Sequence, residues 1–128
     1  MWNLRRSDIY LVSVPREHTV GSEQADVRPW VVLSAPHLHK FPVFVGVPLS
    51  TQVHKEAKYR HARIQIPLTS VDTSCVAAGC TPVDQDSLAL TEQLRVLSTA
   101  RILKGPLGRL VPSALHGVEA GVRYVLDL

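Results

Sequence analysis

Two polar loops carry the side chains whose types could act on an anion. The first has Gly-Ser-Glu-Gln-Ala-Asp at residues 21–26 and is followed by Arg28. A guanidinium can hold two oxygens of a phosphate at once, and a hydroxyl such as that of Ser50 can donate to a third. A carboxylate such as Glu23 can accept a proton from a reacting hydroxyl. Side chains of these types can bind an anion. The alternative is a structural ion pair between Arg28 and Glu23 or Glu92.

The second polar loop, residues 50–62, is strongly basic. Together with Arg63 it contains four Lys or Arg residues and one acidic residue, Glu56. Cations neutralise phosphates, and a flat ring such as that of Tyr59 can stack on a base. The loop therefore predicts a nucleic-acid surface, with a plain solvated loop as the alternative.

Glu92 falls on a predicted strand, Ser87–Leu94, whose alternation places it on one face with three leucines. A carboxylate on an otherwise apolar face must form an ion pair or hydrogen bond, contact water or stay protonated. The alternatives are a salt bridge to Arg28 or Arg95 and a catalytic role.

Metal and disulfide chemistry find little support in the sequence. Cys75 and Cys80 are the two cysteines, and we expect them to be reduced thiols. His37 and His39 flank Leu38, but no carboxylate completes a metal site there. We expect no cofactor.

Short runs of Val, Ile and Leu predict the strands that position these loops. They are Ile9–Val14, Trp30–Ser34, Phe41–Leu49, Arg63–Ile66 and Ser87–Leu94. The last third predicts a short helix from Ser98 to Lys104 and a final helix from Pro112. Strands followed by helices indicate an α+β fold with a small curled antiparallel sheet.

Length and composition bound the class of protein. A chain of 128 residues predicts a single domain, 1–128, and 45% hydrophobic with 20% charged residues argues against disorder. The longest nearly apolar run, Phe41–Leu49, is too short for a membrane-spanning helix, which needs about 20 residues. The start of the chain does not read as a secretory signal. We expect a cytoplasmic protein without a membrane partner.

The formal net charge of +3 is unevenly distributed. Residues 1–63 hold nine Lys or Arg and five Asp or Glu, whereas residues 64–128 hold five and six. The positive first half fits an anionic partner such as a nucleic acid or an acidic protein segment.

Five stretches together resemble the MazF/PemK toxin family. They are Arg6–Val12, Gly21–Val32, Val47–Thr51, Ser87–Arg95 and Leu107–Leu110, followed by the final helix. The resemblance covers almost the whole chain in the same order. It implies an SH3-like barrel with helices packed on it, and a homodimer. It also implies a toxin that is a metal-independent endoribonuclease of single-stranded RNA, often mRNA. Its antitoxin would cover the RNA groove with an acidic or apolar C-terminal tail.

The resemblance also assigns roles. Arg28 matches the catalytic arginine, Ser50 the hydroxyl at a strand end, Glu23 an acidic residue of the first loop, and Glu92 an aspartate used by some members. The implied reaction is attack of a ribose 2′-OH on the adjacent phosphate, which gives a 2′,3′-cyclic phosphate and a 5′-OH end. The expected RNA contacts come from both loops: Gly21, Ser22, Gln24, Thr51, Lys55, Lys58, Tyr59 and Arg60.

The identity of the base is open at this point. Arg28 should stabilise charge rather than move a proton, because the pKa of a guanidinium exceeds about 12. The base would then be Glu23 or Glu92, although a carboxylate beside Arg28 is a weak base. His18 or a histidine of the second loop is the alternative.

Four positions depart from the family pattern. Asp26 replaces a glycine and must tolerate a left-handed backbone, and its charge could weaken phosphate binding. Leu90 replaces an arginine of one branch, Ser50 replaces threonine, and Val111 replaces a serine cap before the final helix.

Two other functions remain open. Proteins of the related CcdB type use a similar dimer to poison gyrase and cut nothing, and fold alone does not separate binders from enzymes. The third hypothesis is a weakly active homologue that binds RNA or an antitoxin, to which Asp26 and Leu90 point.

Overall fold

The computed structural model describes residues 2–51, 61–69, 72–74 and 86–128. Within these ranges the chain forms eight β-strands and one α-helix, which confirms the predicted α+β class. The strands are β1 (Asp8–Val14), β2 (Asp26–Val32), β3 (Val43–Ser50), β4 (Gln65–Leu68), β5 (Thr73–Ser74), β6 (Ser87–Leu90), β7 (Arg95–Ser98) and β8 (Ile102–Leu110). The α-helix, α1, spans Pro112–Leu126.

The strands form one antiparallel sheet in which β3 is shared. The order is β4-β6-β3-β2-β1-β8-β5, and β7 also pairs with β3. The first half of β3, Val43–Gly46, pairs with β7, whereas its last two residues, Leu49 and Ser50, pair with β6. Within the described ranges β4 and β5 do not pair with each other, so the sheet is not closed into a barrel.

Alternating residues of the central strands build two cores, one on each face of the sheet. Tyr10 and Trp30 belong to one core, and Trp30 is completely buried. Their neighbours Ile9 and Val31 belong to the other core, which α1 covers with Val118.

The final helix packs closely on the turn after β6 because it carries glycine at the contact. A Cβ on Gly121 would lie 2.9 Å from Cγ2 of Thr91 and 3.1 Å from Cγ1 of Ile66. The helix begins after Val111 without a side-chain cap, as the sequence predicts. None of the helices in the described ranges is long and apolar enough to cross a membrane.

The second strand begins four residues earlier than predicted, at Asp26 instead of Trp30. Pairing with β1 holds it extended, with Val14 opposite Asp26 and Val12 opposite Arg28. Arg28 therefore stands on a strand and not on a loop.

The short helix predicted at Ser98–Lys104 is wrong. Ser98 does cap a turn, since its Oγ accepts a hydrogen bond from the Ala100 N–H, but the turn is a single 3-10 turn at Thr99–Arg101. The chain then continues as β8, whose Ile102 lies opposite Val12 and is buried in the core. Pairing with β1 overrides the local cap signal.

Candidate functional site: the groove between β2 and β3

A groove of about 470 Å³ lies where β2 meets the end of β3. Most of the residues that form it come from the first polar loop and the two strand ends. The lining residues are Arg16, Gln24, Asp26, Val27, Arg28, Pro29, Leu49, Ser50 and Thr51. Four of the residues singled out in the sequence, Gln24, Arg28, Ser50 and Thr51, thus lie in one groove.

Strand register brings Arg28 and Ser50 together. Trp30 lies opposite Pro48, and Val32 lies opposite Gly46. This pairing ends at Trp30 and Pro48, and Arg28 and Ser50 each lie two residues beyond that pair, where both line the groove. A guanidinium and a hydroxyl therefore border the same groove.

The guanidinium of Arg28 is anchored at one edge. Its Nε donates a hydrogen bond to the Ala25 carbonyl at 3.0 Å. Partial burial lowers the pKa of Arg28, Asp26 raises it, and the nearby Arg16 cation lowers it further. The group stays a cation at neutral pH, because its ordinary pKa is above about 12.

The ion pair between Arg28 and a glutamate is not found. In the described part of the chain the salt bridges join other residues: Arg6 to Glu119, Arg16 to Asp26, and Arg109 to Asp8. Among the described residues, the structural alternative of an ion pair from Arg28 to Glu23 or Glu92 is therefore not supported.

Asp26 adopts the left-handed backbone that the sequence predicts. Its φ is +73°, and its Oδ2 accepts a hydrogen bond from Nη2 of Arg16 at 2.9 Å. Arg16 was not identified from the sequence, because it reaches the groove only through the β1–β2 pairing. The carboxylate of Asp26 thus lies at the groove with one oxygen bound to Arg16.

Glu23 lies in a tight turn beside the groove and does not line it. Its Oε1 accepts a hydrogen bond from the Val20 N–H at 2.6 Å, and its own N–H donates to the Val20 carbonyl at 3.2 Å. Gly21, with φ +58°, supplies the left-handed residue of this turn. The carboxylate of Glu23 therefore stabilises the turn.

Glu92 also lies away from the groove lining, and the predicted strand through Leu94 is wrong beyond Leu90. Residues 91–93 form a 3-10 turn, in which the buried Thr91 hydroxyl and N–H both donate to the Ile64 carbonyl. These bonds end the strand ladder. Glu92 is consequently exposed, and its Oε1 accepts a hydrogen bond from Gln65 Nε2 at 3.3 Å.

Gln93 is a positioning residue that the sequence analysis missed. Its Nε2 donates to the Ser22 carbonyl at 3.1 Å, and its Oε1 accepts from the Gln24 N–H at 3.2 Å. One side-chain amide thus holds both sides of Glu23 in the first loop. Only the neighbouring resemblance around residues 91–95 drew attention to this segment, and no local pattern reveals a contact across 69 residues.

Several predicted residues lie outside this geometry. Lys55, Lys58, Tyr59 and Arg60, like Cys75 and Cys80, fall outside the described residues. Neither His18 nor His61 lines the groove: His18 accepts a hydrogen bond from Arg101 Nη1 at 3.1 Å, and His61 lies near the end of the second loop. His54, the other histidine of that loop, lies outside the described residues.

The His37 and His39 pair does not form a metal site. His39 is engaged with Ser34 Oγ at 2.7 Å and the Leu4 carbonyl at 3.1 Å. Among the described residues no group of three His, Cys, Asp or Glu side chains could hold a metal ion.

Comparison with solved structures identifies relatives of the same fold. MazF from Deinococcus radiodurans superposes with a TM-score of 0.69 at 14% identity, over 100% of both chains. The Mycobacterium tuberculosis toxin MazF-mt6 gives 0.65 at 13%, over 94% of this chain and 97% of that one. An endoribonuclease from a Mycobacterial species, in complex with its cognate antitoxin, gives 0.63 at 14%, over 98% and 96%.

Sequence comparison gives the family. No curated protein matches this sequence. The model of the PemK-like, MazF-like toxins of type II toxin–antitoxin systems matches residues 5–126. This match spans nearly the whole chain and includes every residue of the groove, and the solved structures share the fold. The chain therefore belongs to the PemK-like, MazF-like toxin family of type II toxin–antitoxin systems.

Proposed function

We propose that this protein is the toxin of a type II toxin–antitoxin pair and that it cuts single-stranded RNA, including mRNA, at preferred sequences. The observation that carries the proposal is that Arg28 and Ser50 both line one groove. The mycobacterial relative of the same fold is an endoribonuclease, which supports this reaction class. We place this activity in the cytoplasm, where mRNA is found.

The proposed step is attack of a ribose 2′-OH on the adjacent phosphate. The oxygen–phosphorus bond to the 5′ oxygen breaks, leaving a 2′,3′-cyclic phosphate and a 5′-OH end. Negative charge grows on the phosphorane oxygens, where Arg28 would form two hydrogen bonds and Ser50 a third. Fixed protein donors can supply this stabilisation, so we propose a reaction independent of metal ions.

The 2′-OH proton needs an acceptor, and the 5′ oxygen needs a donor. Among the described residues, Asp26 is the acidic side chain that lines the groove, with one oxygen bound to Arg16. We therefore place the proton acceptor at Asp26 ahead of Glu23 and Glu92, whose carboxylates bind Val20 and Gln65. The proton then passes to the leaving 5′ oxygen.

The test is incubation of a long single-stranded RNA with the purified protein in excess EDTA, followed by sequencing of the new ends. We expect discrete cuts with 5′-OH ends, abolished in Arg28→Ala and retained in Arg5→Ala, a matched loss of an exposed arginine. Both variants should have wild-type unfolding temperatures. Intact RNA from the folded protein would contradict the nuclease and favour the non-cutting binder.

We also propose a homodimer and an antitoxin partner. A second cavity, of about 500 Å³, lies between α1 and the segment after β2, and its walls include Leu33, Val45, Leu94 and Val122. An apolar surface of this kind favours a protein contact. We expect light scattering to give twice the chain mass, and a monomer at micromolar concentration would contradict the dimer.

A further inference from the structure

A stack of three flat side chains lies where the second loop ends, outside the groove. The guanidinium carbon of Arg63 lies 4.1 Å from the centroid of the Tyr124 ring. The His61 ring lies 5.4 Å from the same centroid, tilted by 39°. All three residues are exposed. We call this set the Arg63–Tyr124 stack.

The turn that carries Arg63 is held by its own hydrogen bonds. The His61 carbonyl accepts from the N–H groups of Ile64 at 2.9 Å and Gln65 at 2.8 Å. His61 Nδ1 accepts from the Arg63 N–H at 3.2 Å. The turn therefore has a defined shape before any ligand arrives.

The helix that carries Tyr124 is held as firmly. Gly121 lies against Thr91 and Ile66 at distances that leave no room for a side chain. Tyr124 follows three residues later, on the same side of α1. Both sides of the stack are thus anchored on the folded body.

Two arginines border a cavity beside the stack. A cavity of about 660 Å³ is bordered by Arg63, Arg123, Tyr124 and Asp127. Among the described residues neither arginine forms a salt bridge. Asp127 and Leu128 border the same cavity, so the two guanidinium groups without a salt bridge are the features that suit an anionic ligand.

Flat faces together with cations favour single-stranded nucleic acid. Bases stack on aromatic rings and on guanidinium planes, while nearby cations neutralise phosphates. An acidic peptide would use the cations but gains nothing specific from the planes. One face of the planar Arg63 guanidinium lies on the Tyr124 ring, and a base can stack on its other face.

The stack lies within reach of the groove. The chain leaves the groove at Thr51 and arrives at the stack at His61. Ten residues span at most about 35 Å even when fully extended, which bounds the separation of these two points. A strand of RNA bound in the groove could therefore continue onto the stack.

We propose that the Arg63–Tyr124 stack is a second RNA-binding site that holds a base flanking the cut position. The proposal rests on the proposed function for the identity of its ligand. It predicts that the protein binds long RNA more tightly than RNA that fills the groove alone.

The experiment uses RNA that the proposed reaction cannot cut, so that binding is measured independently of cleavage. Fluorescence anisotropy follows labelled 2′-O-methyl oligonucleotides of about 4 and about 16 nucleotides, which bracket usual single-strand site sizes. The proteins are wild type, Tyr124→Ala, Arg63→Gln and the control Tyr124→Phe, which keeps the ring. Unfolding temperatures verify that each variant is folded.

We expect Tyr124→Ala to weaken binding of the long oligonucleotide about tenfold and to leave the short one unchanged. Tyr124→Phe should bind like wild type. Arg63→Gln should also reduce the slope of log K against log salt by about 0.7, the loss of one phosphate contact on a single strand.

Equal binding of the long oligonucleotide by wild type and Tyr124→Ala would overturn the proposal. Displacement of that RNA by polyglutamate as readily as by unlabelled RNA would assign the surface to an acidic protein and overturn it as well. Cleavage of ordinary RNA is measured in a separate assay. If the protein cuts RNA but binds long and short oligonucleotides equally well, only the second site is wrong. If the protein does not cut RNA, the proposed function is wrong.

Discussion

Asp26 joins a strained backbone to the polar end of the groove. Glycine would adopt the φ of +73° without strain. The same substitution would remove the carboxylate, which lies near Arg28 and is bound to Arg16. If Asp26 accepts the proton, Asp26→Asn and Asp26→Gly should both lower kcat by about 10²-fold or more, while KM for RNA falls because a negative charge is gone. Steady-state cleavage kinetics measure both constants. An unchanged kcat in both variants would exclude this role.

Tyr10 predicts how stability depends on alkaline pH. Burial raises the pKa of Tyr10 to about 12, Asp8 adds to the increase, and Arg109 opposes it. The unfolded tyrosine loses its proton near pH 10, so this stabilisation is complete below pH 10 and is lost as the pH rises to about 12. Urea unfolding should show that decline, and it should be smaller in Tyr10→Phe. The exposed Tyr124→Phe is the control and should leave the decline intact.

Alanine substitutions at the two glycines of α1 are expected to change stability in opposite directions. A Cβ on Gly121 would lie 2.9 Å from Thr91 Cγ2, whereas a Cβ on Gly117 meets nothing nearer than 3.6 Å, at Ile66 Cγ2. Gly121→Ala should destabilise the fold by about 1–3 kcal/mol through overpacking. Gly117→Ala should stabilise it by about 0.5–1 kcal/mol, because alanine favours the helix. Thermal unfolding measures both effects. Similar changes in unfolding temperature in the two variants would refute the close contact between Gly121 and Thr91.

Gln93 links the turn after β6 to the first loop through both atoms of its amide. Gln93→Glu keeps the shape but removes the donor to the Ser22 carbonyl. We expect faster hydrogen exchange at the Gln24 N–H and a lower kcat for cleavage, with the unfolding temperature nearly unchanged. The matched change Gln65→Glu, at the exposed contact with Glu92, should alter neither. Unchanged exchange at Gln24 in Gln93→Glu would show that the amide does not hold the loop.

The strands and the final helix were predictable where periodicity is strong, as at Ile9–Val14 and after Pro112. Alternation alone extended the strand at Ser87 too far, because the Thr91 bonds to Ile64 that end it join residues 27 apart. Ser98 caps a turn as predicted, but the residues after the turn pair with β1 and do not continue as a helix. Arg28 and Ser50 were found by type and resemblance, whereas Arg16 and Gln93 depend on strand register and long-range contact.

The molecule as a whole presents most of its positive charge in its first half, and the basic second loop belongs to it. Exchanging Lys55, Lys58 and Arg60 for glutamine should weaken RNA binding and flatten its salt dependence, since each lost phosphate contact removes about 0.7 from the slope. Titrations across a range of salt concentrations measure this. The control exchanges Lys40 and Lys104, which lie outside the loop, and should retain the wild-type slope. A wild-type slope in the loop variant would remove the loop from the RNA surface.

The double pairing of β3 also determines where the chain can accept new residues. A one-residue insertion anywhere in Val43–Ser50 would turn the side chain of Ser50 to the opposite face, away from Arg28. It would also shift the strand against β2 and either β6 or β7, so no single neighbour could compensate. The second loop follows this strand at Thr51, outside the segment of β3 that pairs with β2, β6 and β7. Variation in length, and with it the acquisition of new RNA preferences, is therefore expected in the loop, while the strand that carries the hydroxyl keeps its length.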